Sequence, residues 1–136
     1  MRIYLLPLIF CLSFIANATE KVSNSFYREV SPAKVVSLGE IFSIRLPVSL
    51  STGYSWIVRS LPPQVALTGM AYSPPKPGLC LPGCSGSTIL YLKAISPGEG
   101  ILKLQYARIW EKLPKQVHIT AINVLTKQDM NRKTKR

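Results

Sequence analysis

The sequence predicts an all-β fold, a sandwich of six or seven short strands, on three observations. Apolar and polar residues alternate with a period of two over residues 40–47 and again over residues 101–110. Proline and glycine punctuate the chain at short intervals, at Gly39, Pro62-Pro63, the stretch 73–86 and Pro97-Gly98. No segment sustains the 3.6-residue period of an amphipathic helix. Many short strands separated by frequent turns describe two packed sheets.

The chain starts with a segment that does not belong to that fold. Met1-Arg2-Ile3-Tyr4 is short and positive, an apolar run follows over residues 5–15, and Ala16-Asn17-Ala18 supplies a small-x-small cleavage site. Residues 1–18 therefore read as a secretory signal peptide, too short in its apolar part to span a bilayer comfortably. Cys11 is discarded with it. The mature chain, from Thr19, contains no second apolar stretch long enough to cross a membrane, so it is expected to be exported, periplasmic or secreted, with no stable membrane insertion and as a monomer.

Strands are then expected in order. Residues 35–38 form a short extended run ending at Gly39. In residues 40–47, Phe42, Ile44 and Leu46 share one face, and Ser43 and Arg45 the other. Residues 54–59 are aromatic and β-branched, and Pro62-Pro63 ends them. Residues 65–72 make a further strand. Prolines 74, 75, 77 and 82 and glycines 78, 83 and 86 forbid a regular ladder in the stretch 73–86, because proline lacks the donor and glycine packs nothing. A loop of that length in a small domain suggests function. Residues 88–95 and 101–110, joined by Pro97-Gly98-Glu99-Gly100, are expected to pair as a hairpin, and residues 117–125 form the last strand. The domain is bounded at 19–126. Residues 127–136, with five Lys or Arg residues against Asp129, are expected to be a disordered basic tail.

The cysteines and charges bound the chemistry. Cys80 and Cys84, both in Cys80-Leu81-Pro82-Gly83-Cys84, are expected to form a disulfide in an oxidising compartment. So small a loop adds little global stability, and the bond's role is to hold the glycine turn. Two cysteines and one histidine fall short of a structural zinc set, so no metal is expected. The formal net charge is +11, which favours anionic partners. The tail lacks the aromatic interleaving of single-strand binders, so no nucleic acid is expected. His118 is the one histidine, no two carboxylates are paired by spacing, and no phosphate-cradling glycine motif is present. An enzyme is not expected, and no cofactor is implied.

Three loops remain: Ser49-Leu50-Ser51-Thr52-Gly53-Tyr54, Gly83-Cys84-Ser85-Gly86 and Arg108-Ile109-Trp110-Glu111-Lys112. Strand parity returns them to one end of the sandwich. Trp56 is expected in the core and Trp110 exposed, while Arg108 has a surface partner available in Glu111. The segment Ser51-Thr52-Gly53-Tyr54-Ser55-Trp56 resembles the Asn-Pro-Thr-Thr-Gly-Tyr-x-Trp motif of the chagasin-like inhibitors of cysteine proteases. Gly83-Cys84-Ser85-Gly86 is similar to their Gly-x-Gly-Gly loop, and Tyr106-Ala107-Arg108-Ile109-Trp110-Glu111 to their Tyr-x-Arg-Pro-Trp-Glu. The order matches, and the resemblance spans about residues 38–125.

That resemblance implies an immunoglobulin-like sandwich of about seven strands with three inhibitory loops at one end, acting on papain-like cysteine proteases. Residues 49–54 would form a central wedge, with Thr52 and Gly53 nearest the protease's catalytic cysteine. Gly83, Cys84, Ser85 and Gly86 would flank it on one side, and Arg108, Ile109 and Trp110 on the other. The chain departs from the pattern at Ser49-Leu50, Ser85 and Ile109. Losing the wedge proline removes about 0.4–1 kcal/mol of preorganisation where the backbone suits proline. Two other readings make different predictions. A non-inhibitory immunoglobulin-like envelope or adhesion module would tolerate Thr52→Arg. A protein that binds an anionic polymer or membrane would depend on residues 127–136 and on salt.

Overall fold

The computed structural model describes residues 27–78 and 84–135; the predicted leader, Cys80 and Gly83 lie outside them. In chain order the elements are β1 (Tyr27–Ser37), β2 (Ile41–Val48), β3 (Ser55–Ser60), β4 (Val65–Ser73), β5 (Gly86–Ala94), β6 (Gly98–Ala107), β7 (Gln116–Leu125) and α1 (Lys127–Thr134). One sheet has the order β1-β7-β6-β3 and the other β2-β5-β4. Every pairing is antiparallel except β1 with β7. The expected all-β sandwich is therefore present.

The core lies between the sheets and is built by the period-two pattern. Phe42 and Leu46 of β2, Leu90 and Leu92 of β5, Leu102 and Leu104 of β6, and Ile122 and Val124 of β7 are all buried in one cluster. Burying a leucine or isoleucine side chain fully contributes about 1.5–3 kcal/mol, so these alternating residues fix which face of each strand points inward. Trp56 is buried among them as expected. His118 is buried too and has a structural setting: its Nε2 shares hydrogen bonds with Ser31 Oγ at 3.2 Å and Thr120 Oγ1 at 2.9 Å, and Trp56 meets its ring edge-on.

Four expectations are corrected. The first strand is not confined to residues 35–38 but runs from Tyr27, with a register shift between Ser31 and Lys34. Pro32 has no N–H to give the ladder, so the strand bulges there and loses its alternation.

Residues 88–95 and 101–110 do not form a hairpin, because β5 and β6 belong to different sheets. Ala94 already exchanges both backbone bonds with β2 and its turn, donating to Glu40 O and accepting from Gly39 N, each at 2.9 Å. The Pro97-Gly98 turn instead carries the chain across the sandwich, with Ile95 N and Ser96 N both donating to Gln64 O.

The strand read as residues 101–110 begins at Gly98 and stops at Ala107, leaving Arg108, Ile109 and Trp110 in the turn that follows.

The expected disordered tail is a helix over Lys127–Thr134. Thr126 and Asp129 close a capping box: the Thr126 hydroxyl donates to Asp129 Oδ2 at 2.6 Å and accepts from Asp129 N at 3.3 Å, while Thr126 N donates back to the carboxylate. Those bonds hold the Asp129 carboxyl below the usual aspartate range. Apart from Met130 the helix is polar, and it buries no residue, which is why no apolar period announced it.

Candidate functional site

Three connections meet at the end of the sandwich where β2 and β6 finish and β3, β5 and β7 begin. The register places them there: Val48 opposes Gly86, Ser55 opposes Ala107 and Tyr106 opposes Gln116. Strand parity gave the right end although the hairpin behind it was wrong, since a crossing turn reverses the chain as a hairpin does. Residues 49–54, 84–86 and 108–110 are thus brought together, and Gly83 lies outside the described residues.

The central loop is shaped by its own backbone. Leu50–Thr52 make a single 3₁₀ turn, with Thr52 N donating to Ser49 O at 3.2 Å and Gly53 N to Leu50 O at 3.1 Å. The Thr52 hydroxyl reinforces the turn with a 2.6 Å bond to Ser49 O. The chain can leave it only through a left-handed residue, and Gly53 takes φ +77°. A side chain there would also be crowded, since a Cβ on Gly53 would sit 2.9 Å from Trp110 Cη2. Leu50, Ser51, Thr52 and Gly53 are all exposed.

Two groups from β6 and the turn after it pin this loop at both ends. At its start, Ser49 N donates to the Tyr106 hydroxyl at 3.0 Å. At its tip, Arg108 Nε donates to Thr52 O at 2.8 Å. Arg108 is held in turn: its Nη1 meets Glu111 Oε1 at 2.8 Å, and its guanidinium lies 4.3 Å from the centre of the Tyr54 ring, within cation–π reach. Tyr54 donates to the other Glu111 oxygen at 3.2 Å and stacks on Tyr106, with ring centres 5.1 Å apart. Tyr106 leans on Trp56, whose indole N–H donates to Pro47 O at 2.8 Å and so ties the two sheets just below the loop. Desolvation in this stack, and then the bond to Glu111, push the Tyr54 phenol above the ordinary tyrosine range, with Arg108 opposing.

The predicted site residues therefore divide by role. Leu50, Ser51, Thr52 and Gly53 present the tip. Trp110 is 68% exposed, as expected, and Ile109 projects still further. Arg108 does not stand free: it engages Glu111, the surface partner anticipated for it, and it also fixes Thr52. Cys84 and Ser85 are exposed on the other flank, whereas Gly86 is buried. A Cβ on Gly86 would run into the Tyr72 hydroxyl and the Ser73 carbonyl, so this glycine sets how closely β5 approaches β4. Tyr106 and Glu111 stood in the motif read from the sequence, Glu111 as a partner for Arg108, but neither was counted among the site residues. The signal was their spacing: Tyr106 is two residues before Arg108 on the strand leading to it, and Glu111 three after it.

The arrangement is an exposed prow, hydrogen-bonded at its start and at its tip, and among the described residues it contains no nucleophile–base pair. Known proteins share the architecture that carries it. Among solved structures, the cysteine protease inhibitor EhICP2 from Entamoeba histolytica superposes with a TM-score of 0.57 at 22% identity, over 74% of this chain and 98% of that one. Amebosin gives 0.53 at 24% identity, over 74% and 98%. PbICP-C, solved in complex with falcipain-2, gives 0.53 at 20% identity, over 76% and 94%. At these identities the likeness establishes the immunoglobulin-like fold. No curated protein sequence matches significantly. The family model for chagasin family peptidase inhibitors matches residues 35–124, well over half of the chain and spanning the two loop motifs around Gly53 and Arg108, and so the protein belongs to the chagasin family and is a peptidase inhibitor, not an enzyme.

Proposed function

We propose that this protein is an exported, reversible inhibitor of papain-like cysteine proteases, and that it acts by lodging the 49–54 loop in the catalytic cleft. One observation carries the reading: the Thr52-Gly53 tip is exposed, left-handed at Gly53, and clamped by Arg108 and Tyr106 before any partner arrives. A loop already held in its bound shape loses little entropy on binding. With no Cβ on Gly53, backbone can approach the nucleophile closely without presenting a well-placed scissile carbonyl. PbICP-C, of the same fold, was solved in complex with falcipain-2, which supports a protease as the partner.

The flanks complete the grip. Cys84 to Gly86 flank one side of the cleft, and Ile109 and Trp110 supply exposed apolar surface on the other, where a large aromatic anchor contributes most. A Cys80–Cys84 disulfide stiffens the first flank, taking over rigidity that an extra glycine turn would otherwise provide. The signal peptide directs the chain out of the reducing cytoplasm into an oxidising compartment, in which that bond persists.

Titration of the mature chain into papain tests the reading. Inhibition at sub-micromolar concentration is expected, and Thr52→Arg is expected to abolish it. Failure to inhibit several papain-like proteases at micromolar concentration would rule the reading out. For the disulfide, inhibition should weaken when the inhibitor is reduced before it is added; an unchanged inhibition constant would remove that part.

A further inference from the structure

The end of the sandwich opposite the three loops has a surface of its own. There α1 follows β7, and Lys127, Arg132, Lys133 and Lys135 are all exposed. Among the described residues none of the four is in an ion pair; the pair between permanently charged side chains is Arg108–Glu111. Asp129, the one acid on the helix, has its carboxylate turned into the capping box. The other carboxylates at this end, Glu40 and Glu99, accept from Ser37 N and from the Asn123 amide.

Aliphatic side chains stand beside these cations. Leu38 is 46% exposed, Ile95 53% and Met130 41%. They are neighbours: Leu38 N donates to Leu125 O, Gly39 N donates to Ala94 O beside Ile95, and the Ser37 hydroxyl reaches Met130 Sδ at 3.6 Å.

We propose that this end docks peripherally on an anionic lipid bilayer. Unpaired cations on an exposed helix are drawn to a negatively charged leaflet, each strengthening binding about fivefold close to the surface. Exposed aliphatic residues next to them can seat at the headgroup–acyl boundary, as on interfacial helices with basic and apolar sides. The contact is peripheral, because no helix among the described residues is long and apolar enough to cross a membrane. The same chemistry disfavours nucleic acid: α1 itself, Lys127–Thr134, carries no aromatic side chain to stack on a base. The docked molecule points the 49–54 loop away from the membrane.

The test is co-sedimentation of the chain from Thr19, which keeps every strand and the helix, with vesicles of phosphatidylcholine alone or mixed with phosphatidylglycerol. Binding to the mixed vesicles only, released by high salt, is expected. The triple variant Arg132→Gln, Lys133→Gln, Lys135→Gln should bind on the order of a hundredfold more weakly, and Ile95→Ser severalfold more weakly. Equal binding to neutral vesicles, undiminished binding by the triple variant, or tighter binding to duplex DNA than to mixed vesicles at the same salt would each overturn the proposal. The lipid and salt comparison uses the unaltered chain, so it stands whether or not a variant folds, and no protease is present, so the result is independent of the inhibitor reading.

Discussion

Gly53 and Arg108 set the shape of the wedge from opposite sides, one through its backbone and the other through its side chain. An L-residue held left-handed costs about 1–2 kcal/mol, and at position 53 its Cβ would also push on the Trp110 ring. Gly53→Ala is therefore expected to fold, to melt a few degrees lower, and to inhibit papain about five- to thirtyfold more weakly, since about 1.4 kcal/mol is a factor of ten. Inhibition as tight as that of the unaltered protein would show that the tip does not need its left-handed turn. Arg108 makes a different prediction. Its Nε and Nη1 bind Thr52 O and Glu111 at once, while its plane covers Tyr54, and a lysine cannot reproduce that fork. Arg108→Ala and Arg108→Lys should both weaken inhibition by about tenfold or more with little change in melting temperature. The Arg108–Glu111 pair, about a third open to solvent, itself contributes little to stability, so rescue by lysine would reduce the role of Arg108 to its charge.

At the scale of elements, α1 gives a test with a sign. The Asp129 carboxyl is held below its ordinary value of 3.8 by the Thr126 bonds. The stabilisation it gives the helix is complete above that ordinary value and is lost as pH falls through the lowered one. Amide exchange over residues 127–134 should therefore rise in acid, below the usual aspartate range, before the sheets are affected. Thr126→Ala should produce the same fraying at neutral pH, whereas protection unchanged in both cases would mean that the cap does not hold the helix. This element also shows where the sequence stopped being legible. β2, β3, β4 and β7 could be read to within a residue or so, β2 and β7 because each buries one face and so alternates, β3 and β4 because Pro62-Pro63 and the prolines after Ser73 bound them. The helix has no buried face, only a Thr126-to-Asp129 spacing that the charge run concealed. β1 was shortened because Pro32 interrupts its alternation. The β5–β6 turn was misread because local turn chemistry does not say whether the next strand pairs in the same sheet or crosses to the other. The loops at the far end of β6 were legible for another reason: left-handed glycine and clustered aromatic and cationic residues are not needed by a core. What the motifs did not reveal was that Arg108 reaches across to Thr52 O, which depends on Tyr54 and the central loop being close to it in space.

On the scale of the whole molecule the two ends are chemically separate. β7 runs from the loop end to the helix, and its ten residues extend about 33 Å at about 3.3 Å per residue. Exposed charges that far apart are screened at physiological salt, where the Debye length is about 8 Å. The ends are also coupled only through the packed core, and α1 contributes no buried residue to it. Removing residues 127–136 should therefore leave the sandwich's melting temperature unchanged and its inhibition constant for papain within about twofold, at low and at high salt alike. The opposite outcome is informative: if truncation weakens inhibition and salt does the same to the full chain, the basic end is steering the protease rather than standing apart from it, because long-range steering of association is an ionic-strength-dependent rate effect. Association and dissociation rates measured separately would show which, since loss of steering lowers the first and leaves the second in place.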